Sequence, residues 1–335
     1  MIVDRYYYLK LNRYERAIYK AFYNGLMAHE EIIPVPVSGQ LLEEDFNKIY
    51  RAITRDNPLI YYVNQSACSW ATDAFGHTAI CPQYFYRKET VRKYNRNIEK
   101  VVNNLIAQLK LTEGPDYEKE IRVHDWFCKN VKYDFKGSNM DEPARVVLSH
   151  NIVGVFAKQK AQCEGIAKAV KVLLNAVDIK CIVATGEAKV NGKEEHHAWN
   201  VIDIDGSPYQ VDVTWDVGAS EGRIAYDYFN VTDEIIGRTH RFEDEMPKCS
   251  SLKDNYFEKN KLTFKKRSQL IAYIAHEIGQ GRNELYFRMD GLFPKLRRSE
   301  LAGMIAKIAA GGQSSTVNVQ QISNEKVGTY WIRIY

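Results

Sequence analysis

An Asp-Gly pair set between two alternating runs is the tightest constraint on the fold of this 335-residue chain. His196 to Ile204 reads as one strand and Ser207 to Trp215 as its return. Asp205-Gly206 supplies a two-residue turn whose twist suits a hairpin. With those two residues as the loop, Ile204 pairs with Ser207, His197 falls opposite Thr214, and Trp199 falls opposite Asp212. Side chains alternate with period two, so these last four share one face. His197 and Asp212 become diagonal neighbours with Cα atoms ~7–8 Å apart, close enough for an imidazole N–H to donate to a carboxylate. His196 points to the opposite face and reads as an exposed polar position. A centred four-residue loop preserves the parity; a bulge breaks it.

Ahead of the hairpin lies Ala161-Gln162-Cys163-Glu164-Gly165-Ile166-Ala167. From there Ile166, Ala169, Val170, Leu173, Leu174 and Val177 repeat with helical period. Cys163 is therefore expected at the start of a buried amphipathic helix. Unpaired N–H groups and the positive end of the helix dipole favour an anion there, and the thiolate is the nucleophilic form of cysteine. The competing reading is that Cys163, like most free cysteines, is a small buried hydrophobe. The histidine and the aspartate shift the balance. A thiolate attacks a carbonyl, an imidazole moves the proton, and a carboxylate orients the imidazole and stabilises its cation. The chain order is Cys163, His197, Asp212.

The remaining pattern divides the chain into three. Residues 1–112 read as an α+β accessory unit. It has amphipathic helices at 13–28 and around Leu42 to Ile53, and an edge strand from Glu31 to Ser38 that holds two prolines. Strands are expected at Leu59–Val63, Cys68–Thr72 and Thr78–Phe85, before a long helix from Val91 to Leu109. Residues 113–257 follow, with a helix from Tyr117 to Val131, a loop to about Asn151, the Cys163 helix and the hairpin. Residues 258–335 show an αβαββ order, which suggests a compact two-layer module. Its first helix holds Leu270 to Ile278. A strand follows at Glu284–Met289, then a helix ending before Gly311-Gly312, and strands close the chain at Thr316–Ile322 and Thr329–Tyr335.

Composition narrows the function classes. At 45% hydrophobic and 26% charged the chain is ordinary globular protein, and a net charge of +4 does not call for nucleic acid. Lys265-Lys266-Arg267 and Lys295-Leu296-Arg297-Arg298 read as solvated surface, since no stacking aromatics accompany them. No apolar run approaches the roughly 18 residues of a membrane span, and no secretory signal is visible. The six cysteines lack CxxC spacing, and His29-Glu30-Glu31 lacks the second histidine of a metalloprotease helix. The expectation is a cytoplasmic protein with free thiols and no metal or cofactor. Nothing in the sequence sets an oligomeric state.

Three blocks in order are distinctive: Gln162-Cys163-Glu164-Gly165-Ile166-Ala167, His197-Ala198-Trp199-Asn200 and Val211-Asp212-Val213-Thr214-Trp215-Asp216. Over about residues 113–250 the sequence resembles the transglutaminase-like superfamily. His124-Asp125-Trp126-Phe127, Lys132-Tyr133-Asp134, and Tyr228-Phe229-Asn230-Val231 with His240 resemble its bacterial and kyphoscoliosis-type members. The resemblance implies an α+β, papain-like core in which a cysteine-bearing helix packs on an antiparallel sheet. It implies Cys163 as nucleophile, His197 as general base and acid, and Asp212 as orienting carboxylate, acting through a thioester on a protein or peptide substrate.

Three further residues have open roles. Tyr133 either donates to the oxyanion or packs. Gln162 either positions the acyl group or is a solvated amide. Trp199 either shields the thioester or packs. Trp126 is read as core, and Trp215 and Asp216 as a structural strand end. Hydrolysis of a peptide or amide bond is the leading reaction, since water needs no second binding site. Glutamine crosslinking by an amine acceptor is the alternative. A non-catalytic interaction scaffold is the rival of a different class.

Overall fold

A computed structural model describes residues 5–138, 143–190, 192–220, 222–291, 296–311 and 317–335. The expected features at Lys295, Gly312 and Thr316 lie outside the described residues.

The N-terminal part contains α1 (Tyr6–Lys10), α2 (Arg13–Ala28), β1 (Ile33–Ser38), α3 (Glu43–Asp56), β2 (Ser69–Thr72), β3 (His77–Cys81) and α4 (Lys88–Gln108). Helix α2 starts where the sequence supplies a capping box. The Asn12 side chain accepts from Glu15 N, and the Glu15 carboxylate accepts from Asn12 N. Its buried stripe is Ile18, Phe22 and Leu26; that of α3 is Phe46, Ile49, Tyr50 and Ile53. The sheet order is β1-β3-β2. The proline-bearing β1 lies on its edge, the position that tolerates missing backbone donors.

The central part contains α5 (Asp116–Asn130), β4 (Lys132–Tyr133), α6 (Pro143–Ser149), α7 (Ile152–Lys158), β5 (Lys160–Ala161) and α8 (Cys163–Asn175). It continues with β6 (Cys181–Val190), β7 (Lys193–Ile204), β8 (Ser207–Val211), α9 (Val213–Ala219), α10 (Asp233–Ile236), β9 (His240–Phe242) and α11 (Tyr256–Lys259). An antiparallel sheet of order β8-β7-β6-β9 forms the scaffold. Helix α8 lies on β6 and β7, burying Ile166, Ala169, Val170 and Leu173. Polar contacts fix the same interface: Lys171 Nζ donates to Cys181 O at 2.6 Å, and Asn200 Nδ2 donates to Ala167 O at 3.0 Å.

Two glycines permit close approaches that set the site. A Cβ on Gly165 would stand 2.7 Å from Ser149 O, so only glycine lets the first turn of α8 lie on the 149–151 backbone. A Cβ on Gly186 would stand 1.9 Å from Arg241 O, so glycine lets β9 pair against β6.

The C-terminal part contains β10 (Thr263–Phe264), α12 (Arg267–Gly279), β11 (Glu284–Met289), α13 (Arg298–Ala309), β12 (Val319–Asn324) and β13 (Thr329–Ile334). Its sheet order is β10-β11-β13-β12, and it buries a separate cluster around Leu270, Ile274, Phe287, Leu301 and Ile332. The N-terminal and central parts instead share one continuous buried cluster. Tyr286 ties the two cores together. Its hydroxyl donates to Asp227 at 2.6 Å and accepts from Tyr226 N at 2.8 Å.

The fold class is α+β, and the hairpin register is as expected: Ile204 pairs with Ser207 and Asn200 with Val211. Four expectations need correction. The return strand does not reach Trp215; it ends at Val211, because Asp212 caps α9 and accepts from Trp215 N. Trp215 and Asp216 are therefore helical residues. Leu59–Val63 is not a strand, although Val63 makes an isolated bridge to Tyr84. Its burial comes from Tyr61 and Tyr62, whose hydroxyls reach Asn95 and Leu26 O. The strand expected over Thr78–Phe85 is the shorter His77–Cys81. The expected loop before Asn151 contains α6 and the strand β4, which pairs in parallel with β5.

Gly186→Ala is expected to lose about 1–3 kcal/mol, the usual range for added bulk in a filled space. A urea midpoint equal to that of the parent chain would show that β9 does not press on that site.

Candidate active site

Cys163 is the first residue of α8, with Gln162 as its N-cap. The preceding segment is pinned from two sides. Gln162 N donates to Ser149 O at 2.8 Å, and the Gln162 amide reaches Asp134 O at 3.3 Å and Ser138 Oγ at 2.9 Å. Asp134 is itself buried and collects Arg145, Ser149 and Lys160. The Arg145 guanidinium and the other donors hold its carboxyl well below the usual range, although burial opposes this. Cys163 is half-buried and packs on Ala167, Val183 and Ala198, so the sulfur lies where α8 meets β6 and β7.

His197 projects from β7 towards that sulfur. Its Nε2 lies 2.8 Å from Asp212 Oδ2. Burial opposes a charge on this ring. The Asp212 carboxylate, with the Cys163 sulfur nearby, outweighs it, and the imidazole is pushed up to about 10. Asp212 is fully buried. Burial works against its anion too, yet His197 and His240 keep it far below the usual carboxylate range. Its Oδ1 accepts from Trp215 N at 3.1 Å. Its Oδ2 is shared, because His240 Nε2 from β9 lies 3.0 Å away. His240 Nδ1 meets Thr239 Oγ1 at 2.8 Å.

Aromatic rings fix the imidazole in place. Trp199 stacks at 6.2 Å between centroids and an interplanar angle of 17°, with Trp215 at 5.8 Å and His240 at 5.3 Å. Helix α9, which presents Asp212, is anchored at Asp216. That carboxylate lies 3.0 Å from His124 Nε2 and accepts from Tyr228 N at 3.0 Å.

Each residue singled out in the sequence has a definite place. His197 hydrogen-bonds Asp212 and lines the same cavity as Cys163. It meets the carboxylate at the mouth of the hairpin, where the chain turns into α9, not across a continued ladder. Tyr133 is half-buried beside Cys163, and burial, with the sulfur and Glu195 nearby, pushes its hydroxyl up to about 12. The Gln162 amide is directed to the 134–138 loop and is not solvated. Trp199 is buried under His197, and its Nε1 donates to Gln210 Oε1 at 2.8 Å. His196 is exposed. Trp126 is buried in the core.

His240 had no role assigned from sequence. Its position depends on a three-residue strand pairing with a segment about fifty residues earlier, and no local pattern signals that. Among the described residues, His197, Asp212 and His240 come closest to a metal-ligating set, with ligand atoms within 4.8 Å of one another. Both Nε2 atoms, however, already converge on one carboxylate oxygen at hydrogen-bond distance. The trio is therefore hydrogen-bonded as it stands. No helix among the described residues is long and apolar enough to cross a membrane.

Comparison with known proteins finds similarity over the central part of the chain. The kyphoscoliosis peptidase of Mus musculus is 25% identical over 125 residues, 35% of this chain and 18% of the relative. The kyphoscoliosis peptidase of Homo sapiens is 24% identical over the same length. The chain thus spans less than a fifth of these relatives. A crystal structure of a TGase aligns over 55% of this chain and 50% of its own, at 15% identity and a TM-score of 0.31. Residues 103–213 match the transglutaminase-like superfamily. Residues 103–213 thus carry a transglutaminase-like domain, the type of domain found in a superfamily of cysteine-based enzymes.

Proposed function

We propose that the chain is a cysteine-nucleophile acyl-transfer enzyme that hydrolyses an amide or peptide bond of a protein substrate. Residues 113–257 form its catalytic core, flanked by accessory units at 1–112 and 258–335. One observation carries the reading: His197 is hydrogen-bonded to the buried Asp212 carboxylate, and His197 and Cys163 line one cavity.

The Cys163 sulfur attacks the carbonyl carbon while its proton is held on His197. The C–S bond forms, and the carbonyl π pair moves to oxygen. Two donors are available for that oxyanion: the Cys163 backbone N–H, among the helix-start groups that lack an intrahelical partner, and the hydroxyl of nearby Tyr133. Burial and its negative neighbours keep the Tyr133 proton in place at neutral pH. The intermediate collapses, the C–N bond breaks, and His197 gives its proton to the leaving amine. Water then passes a proton to His197 and attacks the thioester, releasing the acid and the thiol. Throughout, Asp212 offsets the charge of the imidazolium and fixes its Nε2–H, leaving Nδ1 for the proton traffic.

Cys163→Ala is expected to lower turnover by about 10⁴-fold or more, measured on casein as a generic probe. Persisting turnover removes Cys163 from the nucleophile role. Monodansylcadaverine added with casein should leave hydrolysis unchanged; its incorporation into casein would identify an amine-resolving crosslinker instead.

The imidazolium–carboxylate pair also sets a pH window for stability. The raised His197 value contributes stability that is complete below the ordinary 6.5 and is lost as pH rises through about 10. Urea unfolding of the chain and of His197→Gln should therefore differ most near pH 6, and the gap should narrow as pH rises from 6.5 to about 10. A gap that does not change with pH would mean that His197 is not held charged by Asp212.

A further inference from the structure

Cys163 and His197 open onto a cavity of about 800 Å³. The central part forms one wall. The N-terminal part forms the other, through α3, the turn at Gln65–Ala67 and β2. This volume lies in the range that encloses a whole drug-sized ligand, roughly 300–1,000 Å³, well beyond the needs of one acyl carbon and a water.

The far wall is held firmly. Arg55 on α3 binds Glu243 at 2.9 Å and Asp244 at 2.6 Å, and Arg51 binds Glu243 at 2.5 Å. Tyr7 donates to Val183 O at 2.7 Å, directly on the strand beneath Cys163.

The charges on the lining balance. Glu43, Glu164 and Glu243 stand against Arg51, Arg55 and Lys168, and the His197 imidazolium is offset by the buried Asp212 carboxylate behind it. Most are already paired with each other, since Glu164 binds Lys168 at 2.6 Å and Glu243 is shared by the two arginines. A ligand therefore meets amide and hydroxyl groups from Asn47, Gln65 and Ser66, and aromatic surface from Trp70 and Phe85. An uncharged stretch of polypeptide matches that lining. Each of its residues brings one backbone donor and one acceptor, and apolar side chains cover the aromatic surface.

We infer that the N-terminal part is the substrate-recognition half of the active site, and that it selects a polypeptide whose residues next to the scissile amide are uncharged. This rests on the acyl-transfer reading above and adds the substrate class to it.

The test uses the full chain and two electrophiles that react at Cys163, with adducts mapped by mass spectrometry. One is iodoacetamide, which needs no recognition. The other is benzyloxycarbonyl-Phe-Ala chloromethyl ketone, which must occupy the cavity. Asn47→Trp fills the space from α3, and Gln65→Trp fills it from the exposed turn. Circular dichroism checks that each variant is folded, and if Asn47→Trp is not, Gln65→Trp decides. The ratio of peptidyl to iodoacetamide rate constants is expected to fall tenfold or more in a folded variant. A Glu-Glu version of the peptidyl probe is expected to react at least tenfold more slowly with the parent chain than the Phe-Ala version. An unchanged ratio in the folded variants overturns the assignment of the wall. Equal rates for the two peptidyl probes overturn the preference for uncharged residues. Failure of iodoacetamide to modify Cys163 in the parent chain overturns the acyl-transfer reading, and this inference with it.

Discussion

A single buried oxygen organises the site. Asp212 Oδ2 is approached by His197 Nε2 at 2.8 Å and His240 Nε2 at 3.0 Å, while Oδ1 takes the Trp215 N–H. A carboxylate without exposure is costly to hold as an anion unless donors replace its water. Here three donors come from three elements, β7, β9 and the first turn of α9. Each element is therefore placed by the need to satisfy the same group. The strand β9 has only three residues, and both the Gly186 approach and the Asp212 bond depend on it.

The local half of this arrangement was legible. The apolar period after Cys163 placed it at the start of α8, and the Asp205-Gly206 turn fixed the register of β7 and β8. Parity alone selected His197 over His196 as the partner of Asp212. The route to that contact was less legible, because Asp212 was expected on a strand and is instead the cap of a helix. Valine and threonine at 213 and 214 favour strands intrinsically, and tertiary context overrides that preference. The side chain of Asp212 supplies the context by taking the Trp215 N–H, and the buried anchor of Asp216 on His124 and Tyr228 N holds the helix down.

What could not be read was long-range. His240 and the N-terminal wall of the cavity are defined by pairings between segments roughly fifty to two hundred residues apart, and periodicity carries no record of those. The chain also gave no local sign that residues 5–112 and the central part share one buried cluster while the C-terminal part keeps its own. Amphipathic stripes show that a face is buried. They do not show against what.

The segment 240–244 joins these long-range features. His240 points inward to Asp212, while Glu243 and Asp244 point to Arg51 and Arg55 on α3. Thr185, on the strand beside it, also donates to Glu243. The cavity's far wall and the carboxylate that orients His197 are therefore attached to opposite sides of one short stretch of backbone. Moving α3 away from the sheet must either break partly buried ion pairs with Arg55 or draw β9 along, and β9 is pressed against Gly186 with no space to slide. The geometry of the acid–base pair and the width of the cleft are thus fixed by the same contacts. A wall built this way is rigid before any ligand arrives, and rigidity of that kind lowers the ordering cost of binding.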